Sequence, residues 1–250
     1  FISVVSFILI FLPANASYSV DAFRNKNIRY EYIPKWTVDV LKLMLGIVYF
    51  YAGLAKLNSD WLFEAMPLKI WLPNQSNIPL IGNLLHQEWL QYAFSWTGAI
   101  YDLTIPFLLL SKRFRNFGFL LVVVFHILTK ILFPIGVFPY VMIISTLIFF
   151  QSNFHKKVLE WIYTRLRFNS EIYSNGNTLS FNLKQPLNQF KIVFLSMFML
   201  FQLTFPFRYL FYPDELFWTE EGFRFSWRVM LMEKAGYTQF YVTDADKNQK

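Results

Sequence analysis

The sequence predicts an α-helical polytopic membrane protein, a multi-helix transmembrane bundle with the start of an extracytoplasmic β-containing domain at its C-terminal end. Three observations lead there. The chain of 250 residues is 55% hydrophobic and 21% aromatic, with a mean hydropathy of +0.35, which is more than a soluble domain of this size needs for its core. The apolar residues come in runs of spanning length separated by polar segments. The basic residues gather in alternate loops, so the net charge of +7 follows membrane topology rather than a nucleic-acid surface. With no cysteine, disulfides, thiolate nucleophiles and zinc–thiolate sites are excluded.

Taken in order, residues 1–12 are apolar but too short to span, and they lack the charged leading region and small-residue cleavage site of a signal peptide. They are expected to be the tail of a transmembrane helix whose start is missing. Residues 13–36 set Arg24, Lys26, Arg29 and Lys35 against Asp21 and Glu31 and read as cytoplasmic. The next span is 37–57. Residues 58–87 hold Asp60, Glu64, Lys69 and three prolines among aromatics, a composition that suits the outer face. Residues 88–110 span back, and the basic turn Lys112-Arg113-Phe114-Arg115 belongs in the cytoplasm.

Residues 117–131 and 137–150 form a predicted hairpin of short helices, broken at Phe133-Pro134-Ile135-Gly136, where proline lacks the donor that would continue the first helix. Over 151–169, Phe154, Val158, Trp161, Ile162 and Leu166 recur at helical spacing among Lys156, Lys157, Arg165 and Arg167, which predicts an amphipathic helix on the cytoplasmic surface. Residues 171–188 read as a polar linker and 190–205 as the last clear span. Large and polar residues then alternate over 223–229, as in a strand outside the membrane. The expected division is a transmembrane domain over 1–212 and the opening of a second domain over 213–250. Asn15-Ala16-Ser17 and Asn74-Gln75-Ser76 match the glycosylation pattern, but triplets this short carry no weight.

Three spans carry polar or small residues on one face. Tyr49, Ala52, Gly53 and Lys56 fall at i, i+3, i+4 and i+7, which places a phenol and an amine on one side with small residues between them that admit a flat ligand or another helix. Ser95, Gly98, Ala99 and Asp102 do the same, and His126, Thr129 and Lys130 share a face. Counting depth along the helices sets Lys56 at the outer boundary, His126 about 8 Å below it and Asp102 about 20 Å below it. Lys56 and His126 are therefore expected at one level, with Asp102 paired to Lys42 instead. An ionisable group at this depth is a candidate functional site. The plainer alternatives are a lysine that snorkels to water, at Lys56 and Lys130 alike, and a histidine that hydrogen-bonds a neighbouring helix.

The stretch Ile47-Val48-Tyr49-Phe50-Tyr51-Ala52-Gly53-Leu54-Ala55-Lys56-Leu57-Asn58-Ser59-Asp60-Trp61 resembles the vitamin K-dependent gamma-glutamyl carboxylase family and its bacterial relatives, the horizontally transferred transmembrane domain (HTTM) proteins. So do Asn15-Ala16-Ser17-Tyr18-Ser19-Val20-Asp21, Phe125-His126, the run from Leu132 through Gly136 to Met142, and Phe225-Ser226-Trp227-Arg228-Val229-Met230. The resemblance implies an integral membrane enzyme, in bacterial style seated in the inner membrane with its site toward the extracytoplasmic side. It would couple oxygenation of a reduced vitamin K or related quinol to carboxylation of a glutamyl peptide, with dioxygen and carbon dioxide as co-substrates and no metal.

By the same resemblance, Lys56 is the base that deprotonates the quinol, His126 matches a histidine lining the active site and Tyr49 matches a tyrosine on the same helix; with Gly53, a small residue on that face, they are the expected quinol-binding residues. Ala55 stands where animal carboxylases have a second lysine, and Ala16 where they have a histidine. The expected partners are membrane lipid, the quinol and a glutamyl peptide or protein, and no nucleic acid. Two other functions stay open from the sequence: quinol oxidation or epoxidation without peptide carboxylation, and non-enzymatic binding of a lipid or quinone.

Overall fold

The computed structural model describes residues 1–79, 81–166, 177–229, 231, 236 and 238–240. Among these, seven helices run nine residues or longer: α1 (Ile2–Phe11), α2 (Lys35–Ala55), α3 (Glu88–Leu110), α4 (Arg115–Leu132), α5 (Phe138–Thr146), α6 (Ser152–Leu166) and α7 (Pro186–Thr204). Helices α2, α3, α4 and the segment Pro186–Phe211, which extends α7 through a 3-10 turn, are long and apolar enough to cross a membrane. Leu43, Phe50, Ile100, Phe107, Leu120, Ile127, Met197 and Leu200 are exposed on them, where hydrocarbon rather than water is the matching solvent. The chain is an integral membrane protein.

Helix α2 is the centre of the bundle. It packs most extensively on α3 and also meets α1, α7 and the 3-10 turn Leu147–Phe149. Met44, Leu45, Val48, Ile105, Leu109, Val122, Met142, Leu195 and Met199 form the main core between these elements. The tightest approach is at Gly53, where an added Cβ would stand 2.8 Å from the backbone nitrogen of Leu103. Only a residue without a side chain allows the two backbones to touch there.

The expected break between α4 and α5 is observed. Helix α4 ends at Leu132, Gly136 takes φ +63, and Pro139 lies in the first turn of α5. The turn before α4 is held by Arg115, whose Nε donates to the Leu109 carbonyl at 3.0 Å and so satisfies one of the orphan acceptors at the end of α3. Helix α6 matches the predicted amphipathic helix up to Leu166. The rest of that prediction, with Arg167, and the linker over 171–176 lie outside the described residues.

The strand expected over 223–229 is not formed. Residues 221–227 make consecutive turns, with Phe225 at φ 60 and Trp227 at φ 56. The segment instead packs on the 3-10 turn Phe205–Phe211 and the residues beside it. Arg208 donates to the Arg224 carbonyl, Arg228 lies 4.5 Å from the Tyr209 ring centre, and Gly222, at φ +80, passes so close to Tyr209 that a Cβ would stand 2.7 Å from its Cα. Contacts to a neighbouring turn have replaced pairing to a neighbouring strand. Most of the remaining residues of that region, 230, 232–235, 237 and 241–250, lie outside the described residues.

Candidate active site

The sequence around Lys56 ends one helix and starts another. The Lys56 backbone N–H bonds the Gly53 carbonyl at 3.0 Å, tightening the last turn of α2. Asn58 then serves both sides. Its Nδ2 donates to the Ala55 carbonyl at 2.9 Å, and its Oδ1 accepts from the Trp61 N–H at 2.9 Å as the cap of the short helix Ser59–Phe63. The chain therefore turns back over the end of α2 instead of leaving it exposed to solvent.

Trp61 closes this fold. Its indole donates to the Ser95 carbonyl at 2.8 Å, Ser95 Oγ donates to the Trp61 carbonyl, and the ring centre lies 5.2 Å from Lys56 Nζ. Lys56 is only 6% exposed. Its ammonium does not snorkel: Nζ donates to Asp102 Oδ2 at 2.7 Å and to the Ala52 carbonyl at 3.2 Å. Asp102, on α3, is 4% exposed, so the ion pair is buried at both ends.

This overturns the depth estimate that set Asp102 apart from Lys56 and gave it to Lys42. Lys42 pairs with Asp39 on its own helix at 3.9 Å. The estimate took the first residue of α3 as level with the last of α2. In the structure the first turns of α3 stand beyond the end of α2, inside the layer formed by the loop before it. Gln91 bonds the Leu85 carbonyl, Tyr92 the Phe63 carbonyl and Trp96 the Leu62 carbonyl. Asp102 thereby comes level with Lys56, as Leu103 does with Gly53.

Seven residues before Lys56, and about 10 Å along the helix axis, the Tyr49 hydroxyl and His126 Nε2 share a hydrogen bond of 2.9 Å. Both are buried. Tyr101 meets Tyr49 edge-on and stacks on Phe125 with ring centres 3.9 Å apart, which fixes the wall behind the pair. His126 thus sits below the level of Lys56 instead of beside it, and what joins the two groups is the space between them.

That space is a cavity of about 340 Å³, within the range of small-molecule sites. Lys56, Asp102, Tyr49 and His126 supply its polar groups apart from Thr129, and Ala52, Trp61, Trp71, Phe94, Phe125, Phe133, Phe138 and Met142 line much of the rest. Gly53 does not line it. The small-residue stripe of α2 divides its work, with Ala52 open to the cavity and Gly53 turned to the α3 backbone, so the expected contact of Gly53 with a cofactor is replaced by a helix contact. Trp71, Phe133 and Phe138 come from loops and helix ends with no periodic signal. The cavity's ionic partner had one: Asp39 and Lys42 are three apart on α2, a spacing that already gives Lys42 its own acid. Among the described residues no three acidic or imidazole side chains converge as a metal site requires.

Two family models match the chain in succession, the HTTM domain over residues 1–154 and the vitamin K-dependent gamma-carboxylase lumenal domain over residues 187–250. The second match begins at the start of α7, ahead of the 212/213 boundary expected from the sequence. No solved structure matches the chain. With the first match alone covering more than half of its length, the chain belongs to the HTTM-domain family and is a gamma-carboxylase-like integral membrane protein.

Proposed function

We propose that this protein carboxylates glutamyl residues at the expense of a reduced vitamin K or related quinol, with Lys56 as the group that takes the quinol's proton. The observation that supports this reading is the placement of two polar pairs, Lys56–Asp102 and Tyr49–His126, in one otherwise apolar, aromatic cavity. A flat aromatic diol fits those walls. The Lys56 end and the Tyr49–His126 end would hold its two oxygens, and the rings of Trp61, Phe94 and Phe125 its faces. When bound, such a quinol supplies, with dioxygen, the strong base that removes the γ-proton of a glutamyl residue so that carbon dioxide can add, and it leaves as its epoxide.

The chain's own residues prepare that chemistry. Lys56 accepts a proton from the nearer hydroxyl, while Tyr49 and His126 orient the farther one and need no charge to do so. The apolar walls keep water away from anionic oxygen, which a wet site would quench. The basic turn Lys112-Arg113-Phe114-Arg115 lies past the far end of α3 from Glu88. The positive-inside rule then turns the Lys56 end toward the extracytoplasmic side, on this reading of a bacterial inner membrane.

The test supplies the purified chain with vitamin K hydroquinone, dioxygen, labelled bicarbonate and a glutamyl peptide, and follows epoxide and carboxyglutamate together. Both products are expected from the parent and neither from Lys56→Ala. Equal activity in the parent, Lys56→Ala and Lys56→Arg would remove Lys56 from the chemistry. Epoxide without carboxyglutamate would reassign the protein to quinol oxidation.

A further inference from the structure

A base must have a lone pair, and a lysine held in an ion pair has none to give. Its Nζ is 2.7 Å from a buried carboxylate oxygen and 3.2 Å from the Ala52 carbonyl, the arrangement of an ammonium with two of its three N–H groups committed inside the protein. Only the third is left for the cavity. An ammonium can hydrogen-bond an incoming hydroxyl, but it cannot take the proton until one of its own has gone elsewhere. Ala52 O is an amide oxygen and far too weak a base to receive it. Among the described residues, Asp102 is the group at hydrogen-bond distance from Nζ that can.

We propose that Lys56 and Asp102 form one protonic unit, in which Asp102 is the positioning residue that receives the proton Lys56 must shed before it can act as a base. This rests on the quinol reading of the cavity. The step balances. The pair starts as ammonium and carboxylate. One N–H proton passes along the 2.7 Å contact to Asp102 Oδ2, leaving a neutral amine and a carboxylic acid. The amine nitrogen's lone pair then takes the proton of the nearer substrate hydroxyl, whose O–H bond breaks and whose oxygen keeps the electron pair. The site ends as ammonium, carboxylic acid and oxygen anion.

Net charge in the cavity is zero before and after, which matters because an unbalanced buried charge is costly where the surrounding wall is aromatic and apolar. Lys56 also ends as the counter-ion of the oxygen anion. A lone buried lysine that starts neutral would also end as the counter-ion of the anion it makes, so charge balance alone does not call for an acid beside it. The carboxylate holds the amine by its side and gives its proton a place to go. The geometry supports this use because neither partner has an alternative: among the described residues Asp102 forms a salt bridge with no second cation, and Lys56 with no second acid.

The experiment uses the full chain in detergent, without dioxygen, and a naphthol probe, 4-methoxy-1-naphthol, whose anion absorbs at longer wavelength than its neutral form. The parent is expected to bind the probe and ionise it. Asp102→Asn should bind the probe but show the neutral band, and in the separate aerobic assay with vitamin K hydroquinone its kcat for epoxide should fall by about 10²-fold with KM little changed. Asp102→Glu, which keeps the carboxylate, should restore the anion band in part. This variant also decides the matter if Asp102→Asn fails to fold. Ionisation of the probe by Asp102→Asn as strongly as by the parent would overturn the proposal while leaving the quinol reading intact. So would a neutral band in Asp102→Glu that matches Asp102→Asn. Failure of the parent to bind the probe would sink the quinol reading and this inference with it.

Discussion

The two polar pairs of the cavity are held by the same helix and differ in almost everything else. Lys56–Asp102 joins α2 to α3 through two opposite charges at 2.7 Å, while Tyr49–His126 joins α2 to α4 through a single hydrogen bond of 2.9 Å between groups that can both be neutral. Burying a neutral phenol and imidazole costs little once they bond each other. Burying a carboxylate and an ammonium costs several kcal/mol per ion in desolvation, which their attraction offsets only in part. The neutral pair can be explained as packing. The charged pair is a poor way to stabilise a bundle, and its presence in a cavity wall points to use.

The contrast can be broken first at its charged end. Lys56→Ala should lower epoxide formation by about 10²–10⁴-fold, the usual weight of a positioned acid–base group, read by product analysis at saturating quinol. Asp102→Ala should also destabilise the fold, by about 3–5 kcal/mol, because it strands a buried ammonium; thermal unfolding in detergent reads this. The double variant Lys56→Met with Asp102→Leu should recover most of that stability and none of the activity. If it stays as unstable as Asp102→Ala, the pair is structural after all.

Smaller effects sharpen the neutral end. Tyr49→Phe leaves His126 Nε2 without its partner and should cost about 1–3 kcal/mol, with KM for the quinol affected more than kcat. Trp61→Phe keeps a ring near Lys56 but loses the indole bond to the Ser95 carbonyl, a change of about 1 kcal/mol seen in the same unfolding assay. A fall in kcat as deep as that of Lys56→Ala on changing Tyr49 would erase the distinction between the two ends.

Much of the bundle was legible because spanning helices announce themselves by length and hydropathy, and the break before α5 by Pro134 and Gly136. The face of α2 bearing Tyr49, Ala52 and Lys56 follows from helical spacing alone, and these three do line the cavity. What spacing cannot convey is the axial offset between two helices. That offset depends on how the loop before α3 folds, and residues 58–87 settle it through hydrogen bonds from Gln91, Tyr92 and Trp96 that no periodicity encodes. The misplaced Asp102 has this cause, whereas His126 lies near the depth that counting gives and is only wrongly treated as level with Lys56. The absent strand has another: alternation in 223–229 specifies two chemically different sides, and a turn packed on Tyr209 uses two sides as well as a strand does.

The contact of Gly53 with Leu103 also works as a gauge. A Cβ at Gly53 would meet the backbone nitrogen and the side-chain Cγ of Leu103 alike at 2.8 Å, so the absence of a side chain here sets how closely α2 and α3 approach beside the gap that Lys56 and Asp102 bridge. Gly53→Ala would insert the width of one methyl group into that gauge, at a stability cost of about 1–3 kcal/mol, and would lengthen a hydrogen bond to which it makes no contact.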